Sequence, residues 1–354
     1  MKRTHVIRAV AVAAAAVGIA IPASSAIGAG TLNGAGSTLV QPLVQKVFGP
    51  DFQSSTGNAV NYAGVGSGAG VSAITNKTVD FGASDAPLAS SQATACGCDE
   101  IAWALSATGP AFHISGVKSL NVSGAVLANI YLGTVTMWND PSIRALNKGT
   151  TLPAEKIVPV FRSDASGDTY AFTNFLQHAS PAWKSKVGAS TQVNWPNGTG
   201  AKGNSGVAAI ISSTEGAIGY VSTFYVRANG LVEASVQNNA GKFVYPYIQD
   251  IEAAAALVTK VKANSEISIV NPAWTPPKKG VKTLTATQKL QQVAYPIATY
   301  TYVIVPAQPK QADLLKQFLT FAVTSAEQAK GNPLVFAPIP KQVVAVDTQT
   351  INSL

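Results

Sequence analysis

Apolar and polar positions alternate along this chain in a repeating order of short apolar run, glycine-rich polar loop and helically spaced apolar residues. Leu39, Val40, Leu43, Val44, Val47 and Phe48 recur at three- and four-residue spacing and predict a helix over 39–48. Val60–Tyr62 and Val79–Phe81 are short β-rich runs. The first leads into the loop Gly64–Gly70 and a helix over 71–77; the second leads into Gly82–Pro87. The middle of the chain repeats the pattern. A helix is predicted over 124–132, and a strand over Ile157–Phe161. The loop Arg162–Thr169 follows, then a helix carrying Tyr170, Phe172, Phe175 and Leu176. Gly203–Gly206 opens a helix over 207–212, and Gly216–Val221 is a strand. An Ala-rich helix is predicted over Ile248–Val261, a strand over Tyr300–Val305 and an amphipathic helix over Gln311–Lys330. Residues 264–287, rich in Pro, Lys and Thr, form a surface excursion. Strand, glycine turn and helix in succession predict the α/β class.

At 354 residues the chain is too long for one ordinary core and suits two lobes. With 47% apolar and only 12% charged residues, disorder is excluded. The N-terminus carries Lys2, Arg3 and Arg8, an apolar run Ala9–Ile21, and the small residues Ser24-Ser25-Ala26. This is the pattern of a signal peptide over 1–26, and it predicts a periplasmic or secreted protein. The run is shorter than the roughly 20 residues of a membrane span. No Cys lies beside the cleavage site, which argues against a lipid anchor. Residues 1–26 contain three basic and no acidic side chains, so the mature chain keeps 22 basic against 17 acidic residues. A mildly positive balance attracts small anions. No Lys/Arg-rich stripe suggests nucleic acid. Cys96 and Cys98 flank Gly97; a local disulfide is open, and no metal site is expected because the ligand count is too small.

Four polar loops share one character. Each follows a strand, precedes a helix and is rich in Gly, Ser or Thr, so each offers free backbone N–H groups at a helix N-terminus. The first offers Ser37 and Thr38, and the second Ser67. The fourth offers Ser166 and Gly167, with Arg162 four residues before Ser166 and Asp164 near enough to orient the guanidinium. The third offers a carboxylate, Asp85. An acid in an anion site makes sense if the ligand brings a proton: hydrogen phosphate can donate to Asp85, whereas sulfate cannot.

The chain resembles the phosphate-binding proteins of bacterial phosphate ABC importers. The stretches that carry the resemblance are Gly34–Thr38, Val60–Tyr62 with Gly64–Ser67, Val79–Pro87, Ile130–Gly133, Arg162–Gly167, Lys202–Asn204 and Gly216–Val221, in family order. The resemblance implies a type II, two-lobed periplasmic-binding-protein fold with a hinge and the ligand in the interlobe cleft. It implies lobes of 27–112 plus 296–354 and of 113–295, with crossings near Pro110–His113 and Tyr295–Tyr300. It implies phosphate held by Thr38, the backbone of Leu39, Ser67, Asp85, Arg162, Ser166, Gly167 and the residue that follows, with no cofactor. The implied partners are inorganic phosphate and ABC permease subunits with a cytoplasmic ATPase, and the protein is expected to be a monomer.

One position departs from the family, which usually has Thr after Ser-Gly where this chain has Asp168. The expectation is that Asp168 turns outward and merely favours the first helical turn. The alternative is a second carboxylate entering the site, which would demand a more protonated ligand or a different one. Other functions fit less well. Gly64-x-Gly66-x-x-Ala69 is an incomplete dinucleotide fingerprint. A secreted phosphatase would need a base or metal beside a nucleophile, and Ser37, Ser67 and Ser166 lack both that and a G-x-S-x-G elbow. A binding protein for a related oxyanion or a phosphorylated ligand is the nearer alternative.

Overall fold

The computed structural model describes residues 29–262 and 267–354; the expected signal segment lies outside them. Twelve strands are described: β1 Thr31–Gly36, β2 Ala59–Gly64, β3 Phe81–Ser84, β4 Cys98–Phe112, β5 Asn121–Val122, β6 Val158–Arg162, β7 Thr199–Ala201, β8 Ala217–Ser222, β9 Val232–Glu233, β10 Ser235–Gln237, β11 Phe243–Val244 and β12 Ala298–Pro306. The main sheet runs β2-β1-β3-β12-β4-β8-β6-β7, with β9 on β4, and β11-β10-β5 form a small second sheet. β1, β2 and β3 are parallel to one another, as are β6, β7 and β8. β4 and β12 run antiparallel between these two groups.

β4 joins the halves of the molecule. Its residues Cys98–Ala107 pair with β12, and Thr108–Phe112 pair with β8. The result is two α/β lobes, each with helices on its own parallel strands. Phe48, Phe52, Phe81, Trp103 and Phe318 build the core of the first lobe, with Trp103 edge-on to Phe81 and Phe318. Tyr131, Trp138, Phe172, Trp183 and Tyr220 build that of the second, where Phe172 and Tyr220 stack 4.6 Å apart. Such aromatic clusters supply large buried areas per residue.

Several elements differ from the sequence expectation. β4, at fifteen residues the longest strand, was not foreseen. It is buried almost throughout, so it shows no two-residue alternation, and Gly109-Pro110 reads as a turn. The helix expected over 39–48 continues through a wider π turn at Val44–Phe48 and runs on to Thr56, stopped by Gly57 at φ +79°. The strand expected at 79–81 is Phe81–Ser84, which brings Asp85 directly after its last residue. The helix expected over 71–77 is Ser67–Thr75, and that expected over 207–212 is Gly203–Ser213. Both begin in glycine stretches that carry no apolar period. The Ala-rich helix ends at Ala256. The helix expected over 311–330 is two, Ala312–Ala322 and Ser325–Ala329, because Thr324 caps the second by accepting from Glu327 N. Cys96 and Cys98 are joined as a disulfide. No described helix is long and apolar enough to cross a membrane.

Candidate functional site

The parallel strands decide where the polar loops meet. β1, β2, β3, β6 and β7 all deliver their following loops at their C-terminal ends, where open α/β sheets place ligands. The Ser67–Thr75, Gly167–Ala179 and Gly203–Ser213 helices begin there, directing backbone N–H groups inward. The lobes meet tightly at this point: a Cβ on Gly167 would run into the backbone and Cβ of Asp85, so the closed arrangement needs glycine there.

All the residues expected in the site are brought together. Asp85, Arg162, Ser67, Ser166 and Asp168 are each at most 2% exposed, and Thr38 is 7%. Ser37 Oγ donates to the Asp85 carboxylate at 2.6 and 2.7 Å, and Thr301 Oγ1 donates to it at 2.6 Å. Ser37 Oγ also accepts from Leu39 N at 3.0 Å, while the Leu39 side chain packs in the core. Ser67 Oγ bridges the lobes: it accepts from Gly167 N at 3.1 Å and lies 3.4 Å from Asp85. Ser166 caps its helix by accepting from Asp168 N at 3.1 Å.

The guanidinium of Arg162 is held on two sides. Nε and one terminal nitrogen donate to Asp164 at 2.8 and 2.5 Å, and the other terminal nitrogen donates to Asp168 at 2.9 Å. Of the five N–H groups of an arginine these take three, leaving two to point elsewhere. Burial opposes the charge, but the Asp164 hydrogen bond and the Asp168 and Asp164 carboxylates hold the guanidinium above its ordinary range. Burial likewise works to raise Asp164, and its Arg162 partner outweighs it, leaving that carboxyl below its usual value.

Asp168 corrects the sequence expectation. It does not turn outward: it is fully buried, and besides Arg162 it accepts from Thr108 Oγ1 at 2.6 Å and from Asn204 Nδ2 at 2.8 Å. At the second helical position after the Ser166 cap, the side chain projects along the inner face, and three converging donors fix it there. Sequence reasoning also missed Asn204, Thr108, Thr301 and Thr299. Asn204 sits in the string Lys202-Gly-Asn and donates to Thr38 Oγ1 at 2.9 Å. The three threonines lie on β4 and β12, strands whose polar residues gave no local motif; Thr299 Oγ1 donates to the Asp85 carbonyl at 3.1 Å.

Burial pushes the Asp85 carboxyl up, Asp168 pushes it further, and the Ser37 and Thr301 hydrogen bonds with Arg162 pull back, for a net value of about 7. A native pKa above the ordinary 3.8 means that the folded state keeps a proton that the unfolded chain releases. Stability of the ligand-free protein should therefore fall as pH rises from about 4 to about 7. Glu233, raised by burial to about 8, extends the same trend. Melting temperatures across pH 4–8 check this, and Asp85→Asn should flatten the lower part of the curve; a rising profile in both proteins would refute it.

Residues 22–327 match the model of the PBP superfamily domain. A phosphate-binding protein PstS of Xylella fastidiosa is 36% identical over 317 residues, covering 88% of this chain and 82% of that one. A phosphate-binding protein PstS of Pasteurella multocida is 34% identical, covering 89% and 88%. The chain belongs to the phosphate-binding proteins of this superfamily. Among solved structures, a high-affinity periplasmic phosphate-binding protein with phosphate bound matches at a TM-score of 0.66 and 21% identity, covering 89% of this chain and 92% of that one. An ABC-type phosphate transport receptor from Vibrio cholerae matches at 0.54 and 15%, covering 87% and 100%. These two likenesses carry the two-lobed fold, and the family membership rests on the sequence matches.

Proposed function

We propose that this protein binds inorganic phosphate outside the cytoplasmic membrane and delivers it to an ABC permease. The observation that carries the reading is the burial of Asp85 and Arg162, from opposite lobes, in one cluster lined by hydroxyls and helix N-termini. The ligand is held without chemistry. No described cluster of three His, Cys, Asp or Glu side chains could hold a metal, and Ser37, Ser67 and Ser166 are bonded to carboxylates or amides rather than to an activating histidine. The protein acts as a monomer on permease subunits that carry a cytoplasmic ATPase.

In this reading Arg162 supplies two N–H groups to the anion, and Gly167 N exchanges its bond to Ser67 Oγ for one to the ligand. Thr38, Ser67 and Ser166 supply hydroxyls. Asp85 accepts a hydrogen bond from the ligand's O–H. Lobes 27–112 plus 296–354 and 113–295 close by a hinge at β4 and the entry to β12. Calorimetric titration of the mature protein with phosphate and sulfate tests the reading, and absence of phosphate heat at any pH from 5 to 8 would end it. Asp85→Asn should erode phosphate-over-sulfate selectivity by about tenfold to a hundredfold, because an unpaired buried group costs roughly 1–3 kcal/mol or more. Unchanged selectivity would remove Asp85 from the proton-reading role.

The closed lobes are also latched outside the ligand cluster. Tyr225 Oη of the second lobe donates to the Thr38 carbonyl at 3.0 Å, and Lys46 of the first lobe lies 5.3 Å over the Phe224 ring of the second. Tyr225→Phe removes one hydrogen bond, worth about 1 kcal/mol, so phosphate should dissociate about fivefold faster. Stopped-flow release measures it, and an unaltered off-rate would exclude the latch.

A further inference from the structure

We infer that the Cys96–Cys98 bond is an exchangeable disulfide, at which an anionic low-molecular-weight thiol forms a mixed disulfide with Cys96. The inference does not depend on the phosphate reading. The two cysteines are only two residues apart in sequence, so the bond removes little chain entropy from the unfolded state. Other contacts already shape the corner. The Ser90–Cys96 helix is closed by Gly97 at φ +59°, whose N–H bonds to the Ala93 carbonyl. The Gly97 carbonyl accepts from Ala307 N at 3.0 Å, and Cys98 is paired with Pro306 in the β4–β12 ladder. The disulfide is therefore not what fixes the backbone here.

The two sulfurs differ in access. Cys98 opens the buried central strand and is 8% exposed. Cys96 is half-buried and lines a cavity of about 320 Å³ together with Gly97, Gln308, Asp80, Lys77 and Lys310. The Asp80 carboxylate accepts from Asn33 N at 2.8 Å. Two lysines against one carboxylate make the cavity electropositive, and its volume suits a small thiol bearing carboxylates. The incoming thiolate attacks Cys96 Sγ, the Cys96–Cys98 bond breaks, and Cys98 leaves as a thiolate that takes a proton from water. One sulfur–sulfur bond is formed and one broken. The reverse attack by Cys98 expels the small thiol and restores the original bond.

The test challenges the folded full chain with reduced glutathione, neutral 2-mercaptoethanol and cationic cysteamine at matched thiolate concentration, followed by acid trapping and peptide mass mapping. Glutathione is expected on Cys96, with Cys98 free, and to react at least about tenfold faster than cysteamine. The preference should vanish in Lys77→Ala/Lys310→Ala and shrink at high salt. An adduct on Cys98, no adduct, or a ranking indifferent to charge would overturn the inference. Cys96→Ser/Cys98→Ser should melt within about 5 °C of the parent. A drop beyond about 10 °C, or failure to fold, would make the bond a structural staple instead.

Discussion

Arg162→Ala is expected to reduce phosphate affinity by more than about a hundredfold and to lower stability as well. Among the described residues Arg162 is the one buried basic group, and it is 2% exposed. In the proposed binding mode its removal takes two N–H groups from the ligand, and it leaves Asp168, with no solvent contact, facing the carboxyl of Asp85. Breaking a buried ion pair by deleting one partner costs about 3–5 kcal/mol. The two charge-assisted hydrogen bonds proposed to the ligand, worth about 1.5–3 kcal/mol each, correspond to roughly two to four decades in a binding constant. Titration calorimetry reads the affinity and thermal unfolding reads the stability. Affinity within tenfold of the parent would mean that the guanidinium serves only to organise Asp164 and Asp168. Arg162→Lys separates the two roles. It keeps the charge but loses the planar fork, so it should recover little.

Asp168→Thr is expected to raise phosphate affinity at alkaline pH by at least about tenfold and to weaken its dependence on pH. An outward Asp168 would have made this a small effect; its burial makes it large. The carboxylate takes one Arg162 N–H that a ligand oxygen could use, and it is the charge that raises the Asp85 pKa beyond what burial does. With both acids inward, the proposed site should disfavour doubly charged phosphate and favour the singly charged, more protonated form. Binding by the parent should weaken as pH rises from 5 to 8, since Asp85 and the ligand both lose protons over that range. In the variant a hydroxyl replaces the charge, the Asp85 carboxyl falls toward its ordinary range, and the slope of affinity against pH should decrease. Titrations at each pH in both proteins decide it. Equal slopes and equal affinities would show that Arg162, with the Thr108 and Asn204 hydrogen bonds, already offsets the Asp168 charge within the cluster.

Much of the candidate cluster was legible because its residues lie in short loops. Thr38, Ser67, Asp85, Arg162, Ser166 and Gly167 each lie within a few residues of a strand end and a glycine, and those signals are local. Asn204 stood in a recognisable string without a role, because its partners Thr38 and Asp168 are 166 and 36 residues away. Thr301 and Thr108 left no trace at all. Each is a single hydroxyl on a buried strand, and only the pairing of β12 and β4 brings them to Asp85 and Asp168. The orientation of Asp168 was misjudged for a related reason. A helix first turn favours an acid whether it faces water or the interior, so the local rule was satisfied either way.

The amino-acid sequence by itself determined the α/β class, the order of the polar glycine loops and the presence of a carboxylate and an arginine among them, since these follow from spacing over a few residues. Tertiary structure alone decided that β4 runs through both lobes, that Asp168 points inward, and that hydroxyls from distant strands clasp Asp85. The physical reason is that burial and charge coupling depend on what surrounds a group from every side, and most of those neighbours are remote in the chain.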